Sequence, residues 1–128
     1  MQKIKKIVDL SHELKNGTVV YPGDPVVDIT VATLKEKDGY NLSNVHIGSQ
    51  SGSHVDGLTV DRMELSYFMG NALVIDASDK GEFEEITLED VKKYDRQMEK
   101  ADIVLFRTDW YQYEGQDKFF RHPYLSTE

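Results

Sequence analysis

Ala72-Leu73-Val74-Ile75-Asp76 is a short, almost wholly apolar run, and Asp102-Ile103-Val104-Leu105-Phe106-Arg107-Thr108 is a second of the same kind. Runs of this length and composition predict strands buried on both faces. Between them Thr87 is a good N-cap, Asp90 follows as the Asp variant of a capping box, and Leu88, Val91, Tyr94 and Met98 recur at roughly helical spacing. Strand, helix and strand in that order predict a crossover unit with parallel pairing.

Upstream, Ile7-Val8-Asp9-Leu10-Ser11 alternates, Val26 to Leu34 is rich in β-branched residues, and Tyr40 to Gly48 alternates around Leu42, Val45 and Ile47. Each reads as a strand. Tyr21-Pro22-Gly23-Asp24-Pro25 and Lys37-Asp38-Gly39 supply turn chemistry between them, so the chain opens antiparallel. Downstream, Trp110 to Phe120 reads as a helix start interrupted by Gly115, with its aromatic residues in core or interface packing. No repeat or low-complexity tract divides the chain. The reading is one mixed α/β domain over residues 1–128.

With 128 residues the chain is long enough for one domain with its own core. It has no Cys, which excludes disulfides, thiolate metal sites and a thiol nucleophile, and which fits a reducing compartment. Its 15 Lys and Arg against 23 Asp and Glu give a net charge of −8, the wrong sign for a nucleic-acid surface. No apolar run approaches the ~20 residues that span a bilayer. The basic start Met1-Gln2-Lys3-Ile4-Lys5-Lys6 has no apolar stretch behind it, so a secretory signal is not expected and the cytoplasm is the default.

Four histidines are present, His12, His46, His54 and His122. In Gly52-Ser53-His54-Val55-Asp56-Gly57 the imidazole and carboxylate are two residues apart. On an extended segment such a pair points to one side and can share a cation. The flanking glycines let the backbone bend tightly and approach a ligand closely. The bland alternative is a loop His beside a turn Asp. His46, four residues before Gln50, is a candidate rescue ligand if its strand runs on straight; otherwise it is an ordinary strand residue. His12 and His122 read as structural.

The stretch Gln50-Ser51-Gly52-Ser53-His54-Val55-Asp56-Gly57-Leu58-Thr59-Val60 resembles the signature His-x-Gly-Thr-His-x-Asp-x-Pro-x-His of the cyclase family that includes bacterial kynurenine formamidases and isatin hydrolase-like enzymes. The likeness continues along the chain. It takes in Asp9-Leu10-Ser11-His12, Tyr21-Pro22-Gly23-Asp24-Pro25, Gly70 to Asp76, Ile86 to Asp90, and Val104 to Trp110.

The resemblance implies a swivelling β/β/α fold with a mixed sheet. It also implies a metal-dependent hydrolase of small amides or formamides, as in tryptophan catabolism, using Zn²⁺ or Mn²⁺. A divalent ion lowers the pKa of bound water and polarises the scissile carbonyl, so no protein nucleophile is needed. Carried over by position, the metal ligands are His54, Asp56 and Gln50, the last standing where the signature has its leading His. The signature is degenerate here. Ser53 replaces Thr, Leu58 replaces Pro and Val60 replaces the closing His, so the proton-transfer residue is unassigned and activity is expected to be impaired.

Family members are longer and bring a further His and Glu from their C-terminal part, which this chain is expected to lack. The Asp and Glu residues from Glu82 to Asp90 are read as a solvated turn and a helix first turn rather than substitutes. An unpaired sheet edge then predicts a homo-oligomer, or a partner chain that supplies the missing part. The alternative function is a non-catalytic relative that binds a small ligand or serves in assembly.

Overall fold

The structure is a computed structural model that describes residues 6–127; most of the basic start lies outside the described residues. The chain divides between Thr59 and Val60 into two compact units.

In the first unit β1 (Asp28–Thr33) and β2 (Leu42–His46) form an antiparallel hairpin in which Ile29 pairs with Val45 and Asp28 with His46. The register slips between Val31 and Thr33, a bulge that frees the chain to enter the one-turn helix α1 (Lys35–Asp38). Gly39 ends that helix at φ 84°, in the left-handed region that glycine occupies without strain. The other edge of β1 is satisfied locally. Asn16 donates from Nδ2 to the Ile29 carbonyl at 2.9 Å and accepts the Ile29 N–H at 2.6 Å, standing in for a strand neighbour.

The expected strand at Ile7–Ser11 does not form. Asp9 Oδ1 accepts the Ser11 N–H at 2.9 Å, and such a local side-chain bond competes with a ladder. That bond also holds the Asp9 carboxyl below its usual range.

The second unit contains the expected parallel pair, β3 (Ala72–Asp76) beside β5 (Ile103–Arg107), in register from Ala72 opposite Ile103 to Asp76 opposite Arg107. Entry to β5 is tight. Asp102 Oδ2 accepts both the backbone N–H and the side-chain amide of Asn71 at 2.8 and 3.0 Å, and a Cβ on Gly70 would lie 2.5 Å from Asp102 Cβ.

The expectation of burial on both faces fails. Ile75 is 1% exposed, but Val74 next to it is 51% exposed. The apolar run therefore lines one covered face and leaves the other open. A further parallel pair, β4 (Glu85–Ile86) with β6 (Tyr124–Leu125), was not expected, since two residues have no readable periodicity. Ile75, Ala77, Ile86 and Trp110 are the buried apolar residues of this unit.

The predicted helix begins as its cap requires but is broken into α2 (Leu88–Val91), a 3₁₀ turn at Lys92–Tyr94 and α3 (Asp95–Met98). Trp110 to Phe120 likewise holds two 3₁₀ turns, Trp110–Tyr113 and Asp117–Arg121, with Gly115 between them at φ 80°. No helix among the described residues is long and apolar enough to cross a membrane.

Asp90 anchors the start of α2. Its Oδ2 accepts from Lys80 Nζ at 2.8 Å and from the Thr87 N–H and hydroxyl at 2.8 and 2.9 Å. The Lys80 ammonium, followed by the Thr87 donors, brings the carboxyl from 3.8 down to about 2. A carboxyl depressed in the folded state stabilises the fold fully above its unfolded pKa, and that contribution is lost as pH falls toward the folded value. Acid unfolding followed by circular dichroism is therefore expected to show Asp90→Asn less stable than wild type near neutrality. The two should converge only as the pH falls below about 2, the folded value of the Asp90 carboxyl. Curves separated by the same amount at every pH would refute this.

Candidate functional site

The segment that follows β2 turns at once. Ser51 N–H bonds to the Gly48 carbonyl at 3.1 Å, so the strand ends at His46 and does not run on toward Gln50. The straight-strand condition for His46 as a rescue ligand is thus not met. Gly52 sits at φ 70°, with Leu14 Cδ1 3.4 Å from where a Cβ would lie, and Gly57 closes the segment at φ 103°. Both positions need glycine for conformation.

Within this bend the three residues singled out from the sequence come together. His54 Nδ1 lies 3.0 Å from the Gly52 carbonyl. A carbonyl only accepts, so Nδ1 is the donor in this contact and Nε2 is the ring nitrogen left to face outward. That Nε2 is 3.8 Å from Asp56 Oδ1, and Gln50 Nε2 donates to the same oxygen at 2.6 Å. The side chains are accessible, His54 at 37% and Asp56 at 75% exposure. Ser53 Oγ accepts the His12 N–H at 2.9 Å, which ties the N-terminal segment to this bend.

Leu58 is exposed, and Val60 opens a 3₁₀ turn in the second unit. His122 Nδ1 faces the Pro123 carbonyl at 2.9 Å, a local structural contact. Among the described residues no group of three or more His, Cys, Asp or Glu is placed to hold a metal ion, and the Gln50 amide turns its NH₂ to Asp56.

A second polar cluster went unread in the sequence. At the carboxyl ends of β3 and β5, where ligands commonly bind in α/β sheets, Arg107 reaches Asp76 Oδ2 at 2.8 Å and Asp109 Oδ1 at 3.7 Å. Asp109 sits at φ 54°, an uncommon conformation for a non-glycine residue. The Arg-Thr-Asp-Trp run at 107–110 was its only signal. With a carboxylate on each side, the guanidinium is internally neutralised.

The fold is one that isatin hydrolases share. Isatin hydrolase A from Labrenzia aggregata, solved with benzyl benzoate, superposes with a TM-score of 0.74 over 94% of this chain and 60% of its own, at 21% identity. The enzyme from Ralstonia solanacearum gives 0.66 over 93% and 58%, at 23% identity.

The family profile described as Putative cyclase matches residues 8–128, and the chain belongs to that family. Among curated proteins it is 31% identical over 112 residues to the kynurenine formamidase of Erythrobacter litoralis, covering 80% of this chain and 49% of the relative. It is 29% identical over 82 residues to that of Salinibacter ruber, covering 56% and 39%. The chain thus spans half or less of the length of these relatives.

Proposed function

We propose that the chain serves as a metal-dependent hydrolase of small amides or formamides, similar to kynurenine formamidase, with His54 and Asp56 as metal ligands and Gln50 beside them. The observation that carries this is the placement of the His54 ring. With Nδ1 on the Gly52 carbonyl, Nε2 faces a carboxylate across 3.8 Å. A neutral imidazole and a carboxylate are a donor set that Zn²⁺ or Mn²⁺ accepts. When bound, such an ion supplies a water of near-neutral pKa and polarises the substrate carbonyl.

The residues themselves orient and neutralise. Gly52 holds the imidazole plane, Asp56 offsets cationic charge, and the exposed site admits a small substrate. Val60, at the signature's closing position, carries no proton, so the general acid–base contribution of about 10²–10⁴ in rate is forfeited there. That loss favours the second reading, a family relative that binds a small ligand without turning it over.

Association is part of the proposal. Ile29, Val31 and Val45 share one face of the hairpin, with Val31 66% and Val45 59% exposed. Apolar faces of this kind are normally covered, here by a second copy or by a partner chain.

Metal analysis, N-formylkynurenine hydrolysis and light scattering on one purified sample test the proposal together. Expected are a bound divalent ion, slow turnover that stops with chelator and returns with Mn²⁺ or Zn²⁺, and a mass above that of the monomer. Absence of any bound ion sinks the metal reading, an ion without turnover leaves the binding module, and a monomer removes the association.

A further inference from the structure

Of the four asparagines in the chain, Asn16, Asn41, Asn44 and Asn71, only Asn16 precedes a glycine. Asn16 and Gly17 form the corner of a turn closed by the Thr18 N–H on the Lys15 carbonyl at 3.0 Å, with Gly17 at φ 82°. Both residues are exposed, and apart from the chain neighbours no atom lies within 4 Å of where a Gly17 Cβ would stand. A backbone nitrogen that follows an asparagine can attack the side-chain carbonyl carbon. Glycine hinders this least because it has no Cβ.

The pair of bonds that holds the edge of β1 opposes the attack. Asn16 Nδ2 donates to the Ile29 carbonyl at 2.9 Å, and Asn16 Oδ1 accepts the Ile29 N–H at 2.6 Å. Both ends of the amide are thus fixed on the strand, and turning its carbon onto Gly17 N requires releasing them. Exposed backbone bonds of this kind open locally, without global unfolding.

We propose that Asn16 is a deamidation site whose rate is set by the opening of the β1 edge. Gly17 N bonds to Asn16 Cγ, the Cγ–Nδ2 bond breaks, and ammonia leaves with the proton that Gly17 N gives up. Water then opens the cyclic imide at either carbonyl, leaving aspartate or isoaspartate at position 16. Aspartate keeps an acceptor for the Ile29 N–H but has no hydrogen for the Ile29 carbonyl. Isoaspartate, with the backbone routed through the former side chain and a carboxylate one carbon shorter, loses its reach for both. Either product loosens the edge of β1, and an unpaired edge invites pairing with another chain.

The test is to age the full chain in mildly alkaline buffer, native and in guanidinium chloride, and to follow its peptides by mass spectrometry. Position 16 should gain the mass that separates OH from NH₂, whereas isomerisation at Asp38-Gly39 or Asp56-Gly57 leaves mass unchanged. Conversion should run about 10–30-fold slower in the folded chain, roughly the factor that two ordinary hydrogen bonds are worth. Gly17→Ala should suppress it in denaturant, where the turn no longer matters. In the aged, folded protein the Ile29 amide should exchange its proton at least about 5-fold faster than in fresh protein, the worth of one such bond.

No conversion at Asn16, or conversion at Asn41, Asn44 or Asn71 as fast as at Asn16 in denaturant, would overturn the site. Equal rates in native and denatured chain would overturn the control by the β1 edge, and unchanged Ile29 exchange after ageing would overturn its loosening.

Discussion

Asp56→Ala is expected to abolish the divalent-cation binding proposed for the purified chain. Outer partners of metal ligands are worth about 10–100-fold in affinity, so removing the one carboxylate of the donor set should cost more than about 100-fold. It also deprives Gln50 Nε2 of its acceptor. Because the Asp56 side chain is 75% exposed, the fold should survive, with the far-ultraviolet circular dichroism of wild type. Equilibrium dialysis against Mn²⁺ measures the loss, and His54→Ala should match it. A variant that is folded and binds Mn²⁺ as tightly as wild type would remove Asp56 from the site.

Trp110→Ala is expected to lower stability by about 3–5 kcal/mol, the usual range for deleting a large buried aromatic. That is a large share of the 5–15 kcal/mol typical of a folded domain, so the variant should sit close to unfolding. Trp110 is 7% exposed, stacks edge-on against Tyr113 with ring centres 4.8 Å apart, and carries Lys118 Nζ 5.2 Å from its ring centre. Its indole N–H is shared between the Lys118 and Phe119 carbonyls at 3.3 and 3.2 Å. Trp110→Phe keeps an aromatic ring but leaves both carbonyls without that donor, and should cost less than Ala. Trp110 is the sole tryptophan, so urea unfolding of the variants must be followed by circular dichroism rather than by indole fluorescence. A midpoint for Trp110→Ala equal to that of wild type would contradict the assignment of this residue to the core.

What could be read from the sequence was set by how local the physics is. The β3 and β5 runs and the Thr87–Asp90 cap were visible because apolar length and capping chemistry are written in consecutive residues. Alternation misled at Ile7–Ser11, where Asp9 offered the backbone a nearer partner than another strand. The covered and open faces of β3 were not readable either, since exposure depends on what packs there.

The site divides in the same way. Gln50, His54 and Asp56 could be picked out by residue type and spacing. The placement of the His54 ring depends on a carbonyl aimed by Gly52 at φ 70°, and that of the Gln50 amide on the fold of the bend; neither is written in residue type.

The contacts that assemble Gln50, His54 and Asp56 span only two to six residues, whereas the tie from His12 to Ser53 spans 41. Closing a loop costs entropy that rises by only about 0.6 kcal/mol per doubling of its length, so the short closures are the inexpensive ones. The donor set should therefore be among the first features to regain order when a denatured chain is returned to water. The N-terminal strap is the longer closure, and it should fray while the bend behind it still holds its shape.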